Sequence, residues 1–154
     1  MNVRRIRPAI LVFLLAGTMA CSGSSDSSSS TAPSQTIATD VLTGTVAAPI
    51  NGALQSASNN FIVGQGGGTV SVTLTSATET LPSGALLTNV TMGIAVGTSS
   101  ITGCTPMSNA FTTASPGSTP QLSGSLAAGT YCVIVSDVTN QFGPVAYAVA
   151  VSHP

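Results

Sequence analysis

The chain has 154 residues, of which 5% are charged and 4% are aromatic, and it contains no Trp and no Lys. Its three basic residues are Arg4, Arg5 and Arg7, so His153 is the only side chain after Arg7 that could carry a positive charge. This distribution excludes nucleic-acid binding through the phosphate backbone, Schiff-base chemistry by Lys, and phosphate clamps made by Arg or Lys.

The first segment, residues 1–20, has the order of a secretory signal peptide. Three Arg precede the apolar residues 9–16, and small residues then lead to Ala20 and Cys21. The apolar run is too short to span a bilayer, which takes about 20 residues. With Ala20-Cys21 at its end, the segment resembles a bacterial lipoprotein signal. Ordinary signal peptidase could also accept the sequence Thr18-x-Ala20.

The resemblance to a lipoprotein signal implies a diacylglyceryl thioether on Cys21 and an acylated α-amino group. Two or three acyl chains hold a protein durably on a membrane, whereas one chain is marginal. Ser22 follows the Cys, which in Gram-negative relatives implies delivery to the outer membrane. We therefore expect a lipid-anchored protein of the cell envelope, attached to the membrane through Cys21.

Residues 21–37 continue from this Cys as a Ser-rich stretch. Its side chains are almost all small or polar, and they cannot offset the entropy that ordering the chain would cost. We predict a disordered tether that joins the membrane anchor to a single domain formed by residues 38–154.

Residues 38–154 consist of short alternating runs separated by Gly, Pro, Asn and Ser. Between residues 69 and 75, Val70, Val72 and Leu74 share one face and Ser or Thr occupies the other, which is the period of a half-buried strand. No stretch has a helical period. The pattern predicts an all-β domain, a single antiparallel β-sandwich, with strands at residues 41–46, 61–63, 69–75, 90–96, 121–126, 131–136 and 145–151.

Several of these strands carry a more specific pattern. It comprises Phe61-x-Val63 with a Gly-rich turn, Val70-x-Val72-x-Leu74, residues 126–135 (Leu-Ala-Ala-Gly-Thr-Tyr-x-Val-x-Val), and Tyr147-x-Val149-x-Val151. In these features the sequence resembles the bacterial pre-peptidase C-terminal domain family. The resemblance implies a jelly-roll-like β-sandwich in which the Gly-Thr-Tyr segment forms a hairpin.

The sequence offers few candidates for catalysis. A Ser-His-Asp site would have to combine His153 with Asp40 or Asp137, and a solvated His near the end of the chain is the simpler interpretation. Glu79 and Asp137 could form a carboxylate pair for glycoside hydrolysis, but the chain has no Trp and few Tyr to line a sugar site. We therefore predict no enzymatic activity and no cofactor.

Two loops resemble ligand sites only superficially. The turn at residues 136–140 contains Asp137 and Asn140, whose oxygens could bind one Ca²⁺, but Asp and Asn in such turns more often cap the backbone. Residues 64–68 are rich in Gly, but neither a Lys nor a helix follows, so a phosphate loop is excluded. We predict no metal site, and a hairpin turn at residues 64–68.

The three Cys suggest one disulfide. Lipidation removes Cys21, leaving Cys104 and Cys132 as a pair in an oxidising compartment. The sequence places Cys104 in a loop and Cys132 in a strand, so the bridge would attach a loop to the sheet. The alternative is two buried free thiols that behave as small apolar residues.

The last predicted strand is apolar on both faces, since Val and Tyr alternate with Ala146, Ala148 and Ala150. A strand of this kind promotes aggregation at a sheet edge. We therefore predict an interior strand whose second face is covered by a loop or a partner.

The sequence as a whole indicates an envelope lipoprotein with a β-sandwich that serves as a binding or structural module for an unidentified protein or polymer. Alternatives are a docking subunit of a surface assembly and, less favoured, a small hydrolase.

Overall fold

The computed structural model describes residues 35–138 and 141–154. The predicted signal peptide, Cys21 and most of the tether lie outside the described residues. Within the described part every long element is a strand, and no helix there could cross a membrane. The strands are β1 (Ala38–Val46), β2 (Ser56–Val63), β3 (Gly68–Thr80), β4 (Leu86–Thr88), β5 (Met92–Ser100), β6 (Gly103–Ala114), β7 (Leu122–Leu126), β8 (Gly129–Ser136) and β9 (Val145–His153).

The strands form two antiparallel sheets that pack face to face, which confirms the predicted β-sandwich. The first sheet has the order β1-β9-β3, with β4 and β7 both paired to the far side of β3, and the second has the order β2-β8-β5-β6. If the short β4 is set aside, consecutive strands lie in opposite sheets except for the β5–β6 hairpin. This alternation is the connectivity of a jelly roll.

The core is built by the alternation that the sequence shows in β9. Val145, Tyr147, Val149 and Val151 are all buried, and β9 lies between β1 and β3, as predicted for an interior strand. On the opposite face Ala146 is exposed, and the other two Ala are half-buried, so the described loops leave this face open. A partner that covers it remains a prediction.

One side of the sandwich is closed by polar contacts between its edge strands, β1 and β2. The Tyr147 hydroxyl donates to Oδ1 of Asn59 at 2.7 Å, and Nδ2 of Asn59 donates to the Thr43 carbonyl at 3.3 Å. Burial raises the pKa of the Tyr147 phenol above its usual value. Gly44 makes room for the phenol, because a Cβ there would lie 2.5 Å from the Tyr147 hydroxyl oxygen.

Two predicted hairpins are wrong, because the chain changes sheets at both turns. Residues 64–68 lead from β2, which pairs with β8, to β3, which pairs with β9. Gly66, Gly67 and Gly68 have positive φ, so this crossing depends on Gly. Likewise, the Gly-Thr-Tyr segment begins β8 in the second sheet, whereas β7 belongs to the first. Regular alternation therefore identified the strands but not their partners.

Strands β4 and β6 are absent from the sequence-based prediction. β6 contains Pro106 and lacks a period of two, and in the described structure it is an edge strand paired only with β5. Pro is tolerated at an edge, where its missing N–H removes no ladder hydrogen bond. Cys104 consequently lies in a strand and not in the predicted loop.

The predicted pairing of Cys104 with Cys132 is present as a disulfide with a Cα–Cα distance of 6.0 Å. It joins β6 to β8, two strands separated by β5, and it passes Gly97 of β5. A Cβ at Gly97 would lie 2.9 Å from Cys104 Sγ and would collide with the Thr105 carbonyl oxygen. The bridge and its Gly therefore fix the three strands together.

We expect the disulfide to contribute strongly to stability. It closes a loop with a sequence separation of 28 residues, which the chain-entropy model values at roughly 3–4 kcal/mol. Replacement of both Cys by Ala should lower the free energy of unfolding by about that amount in a urea titration. Alkylation of unreduced, denatured protein should label neither Cys, and full labelling of both would contradict the assignment.

Gly97→Ala should destabilise the domain by about 1–3 kcal/mol, because the new methyl group overpacks the contact with Thr105 and Cys104. Gly124→Ala is the matched control, since nothing lies within 4 Å of a Cβ at that position. The urea midpoint should fall for the first variant and stay near that of the wild type for the second. Equal midpoints for the two variants would refute the packing argument.

Candidate functional site

The side of the sandwich opposite β1 and β2 is open, and two features of the chain make it so. Gly124 pairs with buried Val70 and therefore occupies an inward position of β7 without a side chain. In β6 the register shifts, so that Val96 of β5 stands opposite residues 107–110. Asn109 in this bulge has a positive φ of 62°. The bulge bends β6 at the same level as the missing side chain of Gly124.

The gap between these strands is a groove of about 200 Å³. Its floor is formed by inward side chains of the first and second sheets, Val70, Val72 and Val96. Its walls are formed by β6 and β7, and they include Met107, Ala110, Leu122 and Leu126. An apolar cavity of about 150 Å³ can hold a benzene-sized molecule. The groove, which we call the β6–β7 groove, therefore fits a single aliphatic or aromatic group.

The polar groups around the β6–β7 groove are few and uncharged. They are the side chains of Asn109, Ser123 and Ser125 together with nearby backbone. Among the described strands, β6 pairs only with β5 and β7 only with β3, so each presents an unpaired backbone edge beside the groove. Such edges can accept an additional strand. The site combines an apolar pocket with edges that can hydrogen bond to peptide.

His153 is buried, and the prediction of a solvated His is wrong. It continues the inward series of β9 and is 6% exposed, with its ring 5.7 Å from that of Phe61. Nε2 lies 3.1 Å from Oδ2 of Asp40, and Nδ1 lies 3.2 Å from the Pro154 carbonyl oxygen. The two ring nitrogens thus contact the Pro154 carbonyl and Asp40. Neither contacts a Ser hydroxyl group, as one of them would in a Ser-His-Asp site. Period-two counting through residue 153 would have predicted the burial.

Glu79 and Asp137, the pair considered for glycoside hydrolysis, are both buried at 0% and 3% exposure. Glu79 belongs to β3, and Asp137 directly follows β8. A glycosidase needs its carboxylates on both sides of a bound sugar. Asp137 lines a cavity of about 230 Å³, but Glu79 is not among the residues that line it. The residues of the predicted turn at 139–140, including Asn140, lie outside the described part.

No protein-family model matches the chain, and neither a curated protein nor a solved structure is significantly similar to it. The resemblance to the pre-peptidase C-terminal domain family therefore remains a prediction that rests on the residues quoted above. The site must accordingly be interpreted from its own geometry.

The β6–β7 groove was missed by sequence interpretation. Gly124 appears in the sequence as one small residue among several in Leu-Ser-Gly-Ser-Leu, and its inward position depends on its pairing with Val70. The residues of the bulge in β6 do not alternate between apolar and polar side chains, so the sequence does not indicate a strand there. A Gly at the central inward position of a predicted edge strand is the one signal that could have indicated a gap.

Proposed function

We propose that the protein is a lipid-anchored component of the bacterial cell envelope whose β-sandwich binds an extended, uncharged peptide segment of a partner. The observation that carries the proposal is the apolar β6–β7 groove between two unpaired strand edges. A partner strand would pair with the backbone of β6 or β7 and place one apolar side chain in the groove. Main-chain hydrogen bonds would supply affinity, and the groove would supply specificity.

The chemistry of the groove limits the occupant. Its lining contains no charged side chain, and its volume admits one Leu-sized or Phe-sized group. A Lys or Glu placed there would lose its hydration without a compensating partner. The partner segment is thus expected to be uncharged at the inserted position and polar at the neighbouring ones, which face solvent in an added strand.

The anchor is the second part of the proposal. It is supported by the Arg-rich start, the short apolar run, Ala20-Cys21 and the Ser-rich tether. An anchored module with a flexible tether searches a shell around its attachment point, which raises the effective concentration for a partner on the same membrane. Weak binding at a small groove would then suffice for association.

The binding site can be tested with capped, neutral peptides Ser-Xaa-Thr-Ser in which Xaa is Leu, Phe, Ala or Lys. The lipidated protein in nanodiscs should show methyl chemical-shift changes at Met107 and Leu126 with Leu or Phe but not with Lys. Gly124→Val fills the groove and should abolish these changes. It should leave stability equal or up to about 1 kcal/mol higher, because Val favours strands more than Gly. Shifts that persist in the variant, or no shifts at all, would disprove the groove as the site.

Lipidation can be tested separately by intact mass. The mature chain should begin at Cys21 and carry two or three acyl chains, and it should partition into the detergent phase. Cys21→Ser should leave the precursor uncut or release the protein from membranes, whereas Ser22→Ala should not. An unmodified Cys21 in protein isolated from its own envelope would refute the anchor and leave the groove proposal standing.

A further inference from the structure

The tether joins the domain at one end of the sandwich. Gln35, the first described residue, is fixed there, because its Nε2 donates to the Gly67 carbonyl at 2.8 Å. β1 begins and β9 ends at this end, and the strand registers bring three turns to it. We call this surface the tether end, and it consists of residues 35–37, 64–67, 101–102 and 127–128.

The tip of the β5–β6 hairpin carries an apolar side chain that the protein does not cover. Ile101 is fully exposed, and Ile37 and Ile62, within or directly beside the tether end, are 59% and 65% exposed. Two-residue hairpin turns favour Gly, Asn and Asp, so a β-branched residue is unfavourable at this tip. Neither turn propensity nor burial therefore accounts for Ile101.

The polar groups around Ile101 are paired within the protein. The Ser100 hydroxyl donates to the Gly103 carbonyl at 3.1 Å and lies 3.0 Å from the Thr102 hydroxyl. In the neighbouring turn the Tyr131 hydroxyl donates to the Ala127 carbonyl at 3.1 Å. Removing a polar group from water costs much less when it already has a hydrogen-bond partner. The hairpin tip can therefore leave water at a low cost.

The Gly-rich turn of the tether end is paired in the same way. The Gly67 N–H donates to the Gly64 carbonyl at 3.1 Å, and the Gly64 N–H donates to the Pro154 carbonyl at 2.8 Å. The Gly67 carbonyl accepts the hydrogen bond from Gln35. The backbone of this turn thus depends little on hydrogen bonds to solvent.

The tether end contains no charged side chain. The acidic residues of the domain are Asp40, Glu79 and Asp137, and its only basic residue is His153. None of these belongs to the four segments, and the Asp40 carboxylate and the His153 ring pair with each other at 3.1 Å. The surface therefore combines an exposed apolar tip, internally paired polar groups and neutral side chains.

We propose that the tether end rests on the lipid surface that holds the anchor, with Ile101 inserted at the boundary between headgroups and acyl chains. This inference rests on the proposed lipid anchor at Cys21. A flexible chain between Cys21 and Gln35 spans roughly 20 Å on average, so the tether end lies within reach of the membrane. The opposite end also exposes apolar side chains, among them Ile50 at 60%, but the tether does not enter there.

The contact with lipid orients the domain and does not hold it. One inserted Ile buries less apolar surface than an acyl chain, and a single acyl chain already gives only marginal binding. The contact is therefore reversible and requires the anchor beside it. Because the domain has no Lys or Arg, attraction to anionic headgroups does not contribute.

The test uses the mature protein, residues 21–154, attached to phosphatidylcholine nanodiscs that contain a maleimide phospholipid. Cys104 and Cys132 form a disulfide, so Cys21 is the only free thiol and receives the lipid. Docking is thereby measured whether or not the cell acylates Cys21. A second lipid in the nanodiscs carries a gadolinium chelate on its headgroup and broadens the NMR signals of methyl groups close to the membrane.

The Ile methyl signals of the unaltered domain report its orientation. The signals of Ile101 and Ile37 should broaden strongly. The signal of Ile50 should broaden several-fold less, because Ile50 follows the far end of β1, whose nine residues span about 30 Å. Ile50 is a suitable internal control, since its exposure is similar to that of Ile37.

A pair of matched variants tests the role of the hairpin tip. Ile101→Ser should reduce the broadening of the Ile37 methyl signal several-fold, because the tip no longer favours insertion, while the protein stays attached through Cys21. Ile50→Ser removes an exposed Ile at the opposite end and should leave the broadening unchanged. Replacing part of the phosphatidylcholine by anionic phosphatidylglycerol should not increase it.

Three results would overturn the inference. Equal broadening of the Ile101 and Ile50 signals would mean that the domain turns freely on its tether, and stronger broadening of Ile50 would mean that the opposite end docks. Broadening that appears only with phosphatidylglycerol would assign the contact to headgroup charge. The anchor itself is tested by the intact mass of the native protein, so its failure is distinguishable from a failure of docking.

Discussion

Beyond Arg7 the chain has no Lys or Arg, and this constraint limits how the carboxylates of the domain can be paired. Asp40 pairs with His153, and one oxygen of Glu79 is bound by backbone N–H groups. An exposed ion pair is worth about 0–1 kcal/mol, whereas complete burial of a Val or Leu side chain contributes about 1.5–3 kcal/mol. The domain thus depends on alternate apolar residues and one disulfide, and loses little by having almost no ion pairs.

The two long sides of the sandwich differ in how the edge strands of the two sheets contact each other. On one side Asn59 links β1 and β2 through Tyr147 and the Thr43 carbonyl, so the sheets are joined by side-chain hydrogen bonds. On the other side Gly124 and the bulge of β6 leave the core reachable between two unpaired edges. A natural sandwich usually protects such edges. The asymmetry of the two sides is the main structural argument for a binding role.

Strand identity was predictable because it depends on local alternation. The apolar series in β3 and β9 indicated both strands and their buried faces, and the pairing of Cys104 with Cys132 followed from the count of Cys. Strand partners were not predictable, because a turn such as residues 64–68 has the same composition whether it reverses a strand or crosses between sheets. β6 was missed since Pro106 and its bulge remove the period of two.

The candidate sites were harder to predict from the sequence than the fold was. Gly124 becomes significant only through its pairing with Val70. Glu79 accepts hydrogen bonds from the backbone of Phe142 and Gly143 only because β3 and β9 are adjacent. Both relations join residues distant in sequence. His153 shows the opposite case, as its burial follows from counting alternate residues along one strand. The burial of residues along a single strand could therefore be predicted from the sequence, whereas the identity of the paired strands could not.

The pairing of β1 with β9 has a consequence for how the protein is made. β1 is the first of the described strands, and its only ladder partner among them is β9, the last one, from Ala38 opposite His153 to Val46 opposite Val145. Contacts between such distant segments form slowly, because a long loop must be closed before they are gained. During synthesis, β1 therefore has no strand to pair with in its sheet until β9 has been made. The topology itself thus makes completion of the first sheet a late step of folding, because the strand that joins β1 to the sheet is the last to be synthesised.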